Sequence, residues 1–498
     1  MKRLRAVLLL LVGLPQFALA HVGSKDVFQQ VTAGPYKLFV TVRMPNVIPG
    51  VANVEVRSTG AALSALKITP LPITGEASKH PPTPDVMKVS TVDPAFYTGG
   101  IWMMSSGSWQ VRFDISGAAG DFTASVPVPA VAVATLQMQR NLGIPLALLG
   151  VFLVISMAGV FGAAVREARL PAGEPVTPKL RRRGWVATAF GVVLMGLMVW
   201  GGAKWWNVEA ASYAEDIYHP PVATAELTGD QLDLKVETFV ADKRFRDPAT
   251  ATLLPDHGHL IHLYAIREPD MDAAYHMHPV LVAPGDFRMN LPAMPAGEYK
   301  LYGDVVHANG FPETLVTELV VPPTMPGGPL GTEDASAHPL PLGSGPDGGL
   351  LGNSYKLPDG YTMVWDKPAT LTATTAYSFR FELLGPDGAA VPAKDMLPYL
   401  GMAGHAAFVK TDGTVFAHTH PDGSAAMPAV MLVNGMDGGM EMPAGPLTNV
   451  VEFPYGFPKP GQYRIFIQMK HGAESDKGNE KGNGASVVET GVFDAVVQ

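Results

Sequence analysis

Two uncharged stretches constrain this chain more than any other feature. LGIPLALLGVFLVISMAGVFGAAV (142–165) and GWVATAFGVVLMGLMVWGGA (184–203) contain no Asp, Glu, Lys or Arg. Each reaches the ~20 residues that a helix needs to cross a bilayer, where every backbone polar group must be satisfied within the segment. The loop between them, 166–183, carries Arg166, Arg169, Lys179, Arg181, Arg182 and Arg183 against Glu167 and Glu174. That basic excess predicts a cytoplasmic loop, with everything before 142 and after 204 on the extracytoplasmic side of a bacterial inner membrane. Trp185, Trp200, Trp205 and Trp206 suit the membrane interface. The N-terminus fits export: MKRLR is a positive n-region, AVLLLLVGL an apolar h-region, and Ala18-Leu19-Ala20 a cleavage site. Residues 1–20 therefore read as a signal peptide, and the mature chain is expected to start at His21.

Composition excludes several function classes. The formal charge of -9 argues against a nucleic-acid partner, which calls for a basic face. With no cysteine, disulfides, thiolate zinc sites, Cys-linked haem, catalytic thiols and blue-copper centres are all ruled out. No nucleophile with a paired base and no phosphate loop is found, so the chain is not read as an enzyme.

At 498 residues the chain is too long for one core. In SWQVRFDISG, Trp109, Val111, Phe113 and Ile115 alternate with polar residues, as a half-buried strand requires. KLFVTVRM (37–44) and VANVEVRS (51–58) behave likewise. The expected fold is mainly β: three extracytoplasmic sandwiches, immunoglobulin-like or cupredoxin-like, over 21–135, 222–321 and 355–498, plus the two helices. Residues 322–354, rich in Pro and Gly, read as a linker.

The second and third of these regions repeat. LDLKVETFV (232–240) corresponds to YSFRFELLG (377–385), GHLIHLYAI (258–266) to GMAGHAAFV (401–409), and GEYKLYGDVVH (297–307) to GQYRIFIQMKH (461–471). Each copy also has a His-x-His-Pro turn. In this register His262, His276, His278 and His307 match His405, His418, His420 and His471, and His259 matches Met402. Alternate residues of a strand share a face, so each His-x-His pair projects together, as metal ligation requires. The expectation is one metal site per repeat, with His307 or His471 brought in by the last long strand and Asp304 or Gln468 behind the ligands. Imidazole without thiolate admits copper, zinc, nickel or cobalt. The second copy inserts MPAVMLVNGMDGGMEMPAG (427–445), with Met427, Met431, Met436, Met440 and Met442. Read as an exposed loop, these thioethers select Cu(I), so copper is preferred and zinc is the alternative.

Residues AGPYKLFVTVRMPNVIPG (33–50) and TGGIWMMSSGSWQVRFDISG (98–117) resemble the YtkA/FixH-type family of small extracytoplasmic β-sandwiches. The resemblance implies a link to copper handling and to the assembly of copper-containing oxidases. The chain departs from the family in reducing its Met-rich turn to Met103 and Met104, and in placing the domain before two helices. The expected function is a membrane-anchored envelope protein that binds, stores or delivers copper, possible partners being an envelope metalloprotein or oxidase. Two alternatives stay open. One is an assembly module whose histidines only brace hairpins. The other is a copper oxidase or monooxygenase built on His21, whose α-amine and ring would form half of a histidine brace, as in lytic polysaccharide monooxygenases and CopC-type carriers, with His80 the other histidine within the domain.

Overall fold

The computed structural model describes residues 26–136, 138–171, 173–215, 217–236, 252–435, 447–472 and 486–498. The expected signal peptide, His21, Met436, Met440 and Met442 lie outside the described residues. The chain is mainly β, with six sheets among the described residues and two long apolar helices, and it forms two compact units.

One unit, Ala132–Tyr218, holds the helices Arg140–Glu167 and Pro178–Glu215, each running past the uncharged stretch that defines it. Their mean hydropathies over the most apolar windows are 2.5 and 1.8. They pack on small residues. A Cβ on Gly162 would lie 2.0 Å from Thr188 Oγ1, and one on Gly191 3.1 Å from Phe161. Close backbone approach of this kind is how apolar helices associate when no hydrophobic driving force separates them from their surroundings.

The other unit comprises residues up to 131 together with His219–Gln498. Its N-terminal part is two facing sheets of five and four strands. The strand Gly107–Gly117 alternates as its sequence demands, with Trp109, Val111, Phe113 and Ile115 inside. Met103 is buried and Met104 exposed, one to each face of the chain.

The two repeats share strand order and register. In the first, the sheet runs 253–254, 297–307, 262–268, 274–277; in the second, 396–397, 461–471, 405–410, 416–419. His262 pairs with Asp304, and His405 pairs with Gln468 at the same position. Even the turns agree. Asp256–His259 and Tyr399–Met402 are equivalent two-bond bridges, whose second residues, His257 and Leu400, take left-handed φ values of 51° and 48° before a glycine.

These sheets are covered on both faces, so their strands are apolar almost continuously rather than alternately. Leu263 and Ala265 face the first repeat's own core, and Ala406 and Phe408 the second's. Tyr264, Ile266, Ala407 and Val409, one residue out of phase, meet in a third core between the repeats. There Tyr302 stacks on Phe416 at 4.4 Å. The fully buried Arg464 pairs with Asp494 and donates to Met271 O and Leu340 O of the opposite side.

Two expectations need correction. The stretch 322–354 is more than a linker: Ala335–Ala337 joins the first repeat's sheet beside 274–277, and Leu351 enters the core between the repeats. Met427 and Met431 are not in an exposed loop either. They lie in the helix Met427–Val433, at 4% and 6% exposure, because its first residues are apolar enough to be drawn into a core.

Candidate metal centre

Strand parity builds the centre. His262 is in phase with Tyr264 and Ile266, and His405 with Ala407 and Val409, so both point into the space between the sheets. His276 lies across from Tyr264, and His418 across from Ala407, which puts these two on the same faces. The result is one cluster shared by both repeats rather than one site in each. The His262 ring lies 5.3 Å from His276, 5.0 Å from His278 and 5.3 Å from His418. The His405 ring lies 5.4 Å from His418 and 5.0 Å from His420. His276 is 5.5 Å from His418 across the interface.

Within the cluster two trios each bring one ligand atom per residue within 4.8 Å of the others: His262, His276 and His278 from the first repeat, and His257, His405 and His420 across both. His259 stacks on His278 at 4.0 Å and meets Glu333 at 3.1 Å. Met402 is buried in the turn equivalent to that of His259.

His307 and His471 do not join. Each lies three residues beyond Asp304 or Gln468, hence on the opposite face of its strand. His307 pairs instead with Glu313, and His471 stands near Asp359 and Glu489. Conversely, sequence comparison of the repeats passes over His257, because Leu400 fills its place in the second copy. Its signal is the third His-x-His of the chain, His257-Gly258-His259.

The surroundings hold the rings in place. His262 Nε2–H donates to Asp256 O at 3.0 Å, His276 Nδ1–H to Gln468 Oε1 at 2.9 Å, and His278 Nδ1–H to Asp334 Oδ1 at 2.9 Å. Gln468 also accepts from Tyr264 Oη, and the Tyr264 ring stacks on His276 at 4.2 Å. Support crosses the interface in both directions: Gln468 of the second repeat holds His276 of the first, and Asp304 of the first lies 3.4 Å from His418 of the second.

With these outer nitrogens held, the inner ones turn toward one another. His262 Nδ1 and His276 Nε2 face each other at 3.0 Å, and His278 Nε2 has no partner. In the second trio, both ring nitrogens of His405 and Nε2 of His257 and His420 are buried without a hydrogen bond. Burial, reinforced by neighbouring imidazoles, pushes His262, His276, His405 and His420 well below the usual histidine range, and brings His257 down to about 4. His259 is lowered for the same first reason. These rings are therefore neutral at pH 7, the form that binds metal. Asp256 is raised to about 7 by burial, against the opposing pull of His418.

The loop carrying His420 is anchored from outside the repeats. Gln30 N donates to Asp422 O, Phe28 N to Ser424 Oγ and Ser424 N to Phe28 O, so the N-terminal edge strand fastens 422–424 directly after the His-x-His-Pro turn.

A family model described as a domain of unknown function (DUF8832) matches residues 355–477, which lie in the second repeat. No curated protein matches the sequence. Among solved structures, similarity is found to a bacterial ice-binding adhesin at 7% identity (90% of this chain, 91% of that one). It is also found to the ICAM-5 D1–D4 ectodomain fragment at 8% (91% and 74%), and to a putative membrane-anchored protein from Corynebacterium diphtheriae at 10% (95% and 96%). The TM-score is 0.14 in each case, and these likenesses carry no argument about fold or function.

Proposed function

We propose that this chain is a membrane-anchored envelope protein whose two β repeats hold copper between them, for binding, storage or delivery. One observation carries the reading. Three rings have their outer nitrogens held by Asp256 O, Gln468 Oε1 and Asp334 Oδ1, while their inner nitrogens converge, His262 Nδ1 on His276 Nε2 at 3.0 Å and His278 Nε2 with no hydrogen bond. A buried ring nitrogen without a hydrogen bond, as in His278 and His405, costs about 1–3 kcal/mol. A cation bound to these nitrogens removes that penalty, and outer-shell acceptors of this kind are the usual partners of metal-bound histidine.

Imidazole donors bind Cu(II) most strongly among the first-row divalent ions, so copper comes before zinc. With Met427 and Met431 in a core, this affinity order rather than the thioethers supports that choice. The apolar helices supply the anchor and the basic loop between them the orientation. An envelope metalloprotein or oxidase under assembly would be the receiving partner.

The test is titration of the full chain, stripped of metal in detergent, with Cu(II), Cu(I) and Zn(II). Tight copper binding that falls away in both His276→Ala and His405→Ala is expected. Preference for zinc would change the cargo. A folded chain that binds neither would leave the histidines as hairpin supports and overturn the reading.

A further inference from the structure

The last long strand of each repeat ends in a histidine with a glutamate beside it. Val305 pairs with Glu313 and Met469 with Glu489 at the same register position, and each histidine follows two residues later. The two pairs nevertheless differ. His307 Nε2 lies 2.9 Å from Glu313 Oε2, a direct charge-assisted contact. In the second repeat the corresponding separation, His471 Nε2 to Glu489 Oε1, opens to 3.6 Å. A second carboxylate, Asp359 Oδ2, stands 3.4 Å from the same nitrogen. It comes from the turn between the strands Ser354–Lys356 and Thr362–Asp366, ahead of the stretches in which the repeats correspond. His471 is only 5% exposed and Glu489 4%, yet His471 Nε2 makes no hydrogen bond. Tyr361, from the turn that supplies Asp359, stacks on the imidazole at 4.1 Å and fixes its plane.

We propose that Asp359, His471 and Glu489 form a second metal site, separate from the histidine cluster, for a divalent cation of the manganese or zinc type. The three ligand atoms lie within 4.8 Å of one another. Ligands at ~2.0–2.2 Å from one ion stand about 3.0 Å apart at a right angle and about 3.4 Å apart at the tetrahedral angle. The two separations measured from His471 Nε2 match the wider spacing, and the homologous pair that lacks the third ligand has closed to a direct bond. One imidazole with two carboxylate oxygens suits zinc and manganese better than Cu(I), and Asp359, the most exposed of the three, leaves a side for water ligands.

This inference does not depend on the histidine cluster binding copper, and manganese separates the two. Mn(II) stands lowest in affinity for imidazole among the first-row divalent ions, so it selects the carboxylate site. The full chain, stripped of metal in detergent, would be titrated with Mn(II) while the electron paramagnetic resonance of the free ion is followed. One Mn(II) per chain is expected for the wild type, for His405→Ala and for Glu313→Gln. In Asp359→Asn the affinity should fall about tenfold or more, the least that disturbing a ligand shell costs. That substitution keeps the Oδ1 that accepts Tyr361 N–H, so the turn stays formed and an unchanged thermal midpoint verifies it. Glu489→Gln should show the same loss. Wild-type affinity in both variants would overturn the proposal. So would absence of Mn(II) and Zn(II) binding beyond the histidine cluster, or loss of Mn(II) binding in His405→Ala alone.

Discussion

At the scale of single residues, the buried imidazoles set how stability responds to pH. His257, His259, His262, His276, His405 and His420 are all lowered, so between their folded values and the unfolded value near ~6.5 the unfolded chain binds more protons than the folded one. Stability is then present above ~6.5 and is lost as pH falls, His257 completing its loss near about 4. Asp256 works in the opposite sense: raised to about 7, it contributes stability at low pH that disappears as pH rises through 7. Burial raises Asp422 and Glu489 in the same direction, and these three carboxyls are outweighed by six rings. The thermal midpoint of the metal-free chain should therefore drop between pH 7 and 5, and a flat profile would argue against a neutral cluster. Individual histidines divide by strand face. His276→Ala should abolish most of the midpoint increase given by copper, since ligand stabilisation follows affinity for the native state. His307→Gln should leave that increase intact while lowering metal-free stability by about 1–3 kcal/mol, because Glu313 loses its buried partner. Calorimetry of both variants with and without copper checks this.

At the scale of elements, one rule of parity sorts the candidate ligands. Residues two apart share a strand face, which unites His262 with Tyr264 and separates His307 from Asp304. That separation was legible in GEYKLYGDVVH and GQYRIFIQMKH, where Asp304 and Gln468 stand three places before the histidine. Less legible was which face looks at the other repeat. A strand buried on both sides does not alternate, and Leu263 and Tyr264 are equally apolar in prospect though one faces its own core and the other the interface. The strands are held across that interface by Arg464 and Asp494, both fully buried. Asp494→Ala should cost about 3–5 kcal/mol, since it strands a guanidinium away from water. Chemical denaturation would show it as a lower midpoint with an unchanged slope.

At the scale of the whole molecule, the histidines of the two repeats gather into one cluster that contains two candidate trios. His257 of the first repeat completes a trio with His405 and His420 of the second, and Gln468 and Asp304 support rings in the repeat opposite their own. Fragments 222–321 and 355–498, prepared separately, should therefore bind copper more weakly than 219–498. Isothermal titration of the three would decide, and equal affinity in the separate fragments would locate the sites within each repeat after all.

What the sequence determined by itself is local or periodic: two uncharged spans, the alternation in SWQVRFDISG, and a His-x-His-Pro repeated in two copies. Such features depend on composition and on spacings of a few residues, so they need no knowledge of distant chain. Tertiary structure alone decided that the two histidine sets meet, that 335–337 leaves its linker-like surroundings to pair with 274–277, and that Met427 and Met431 go inside. The first two outcomes follow from burying a second sheet face and the third from packing against the strand Gly120–Ala130, choices made by the fit between surfaces far apart in sequence and not by any pattern along either one.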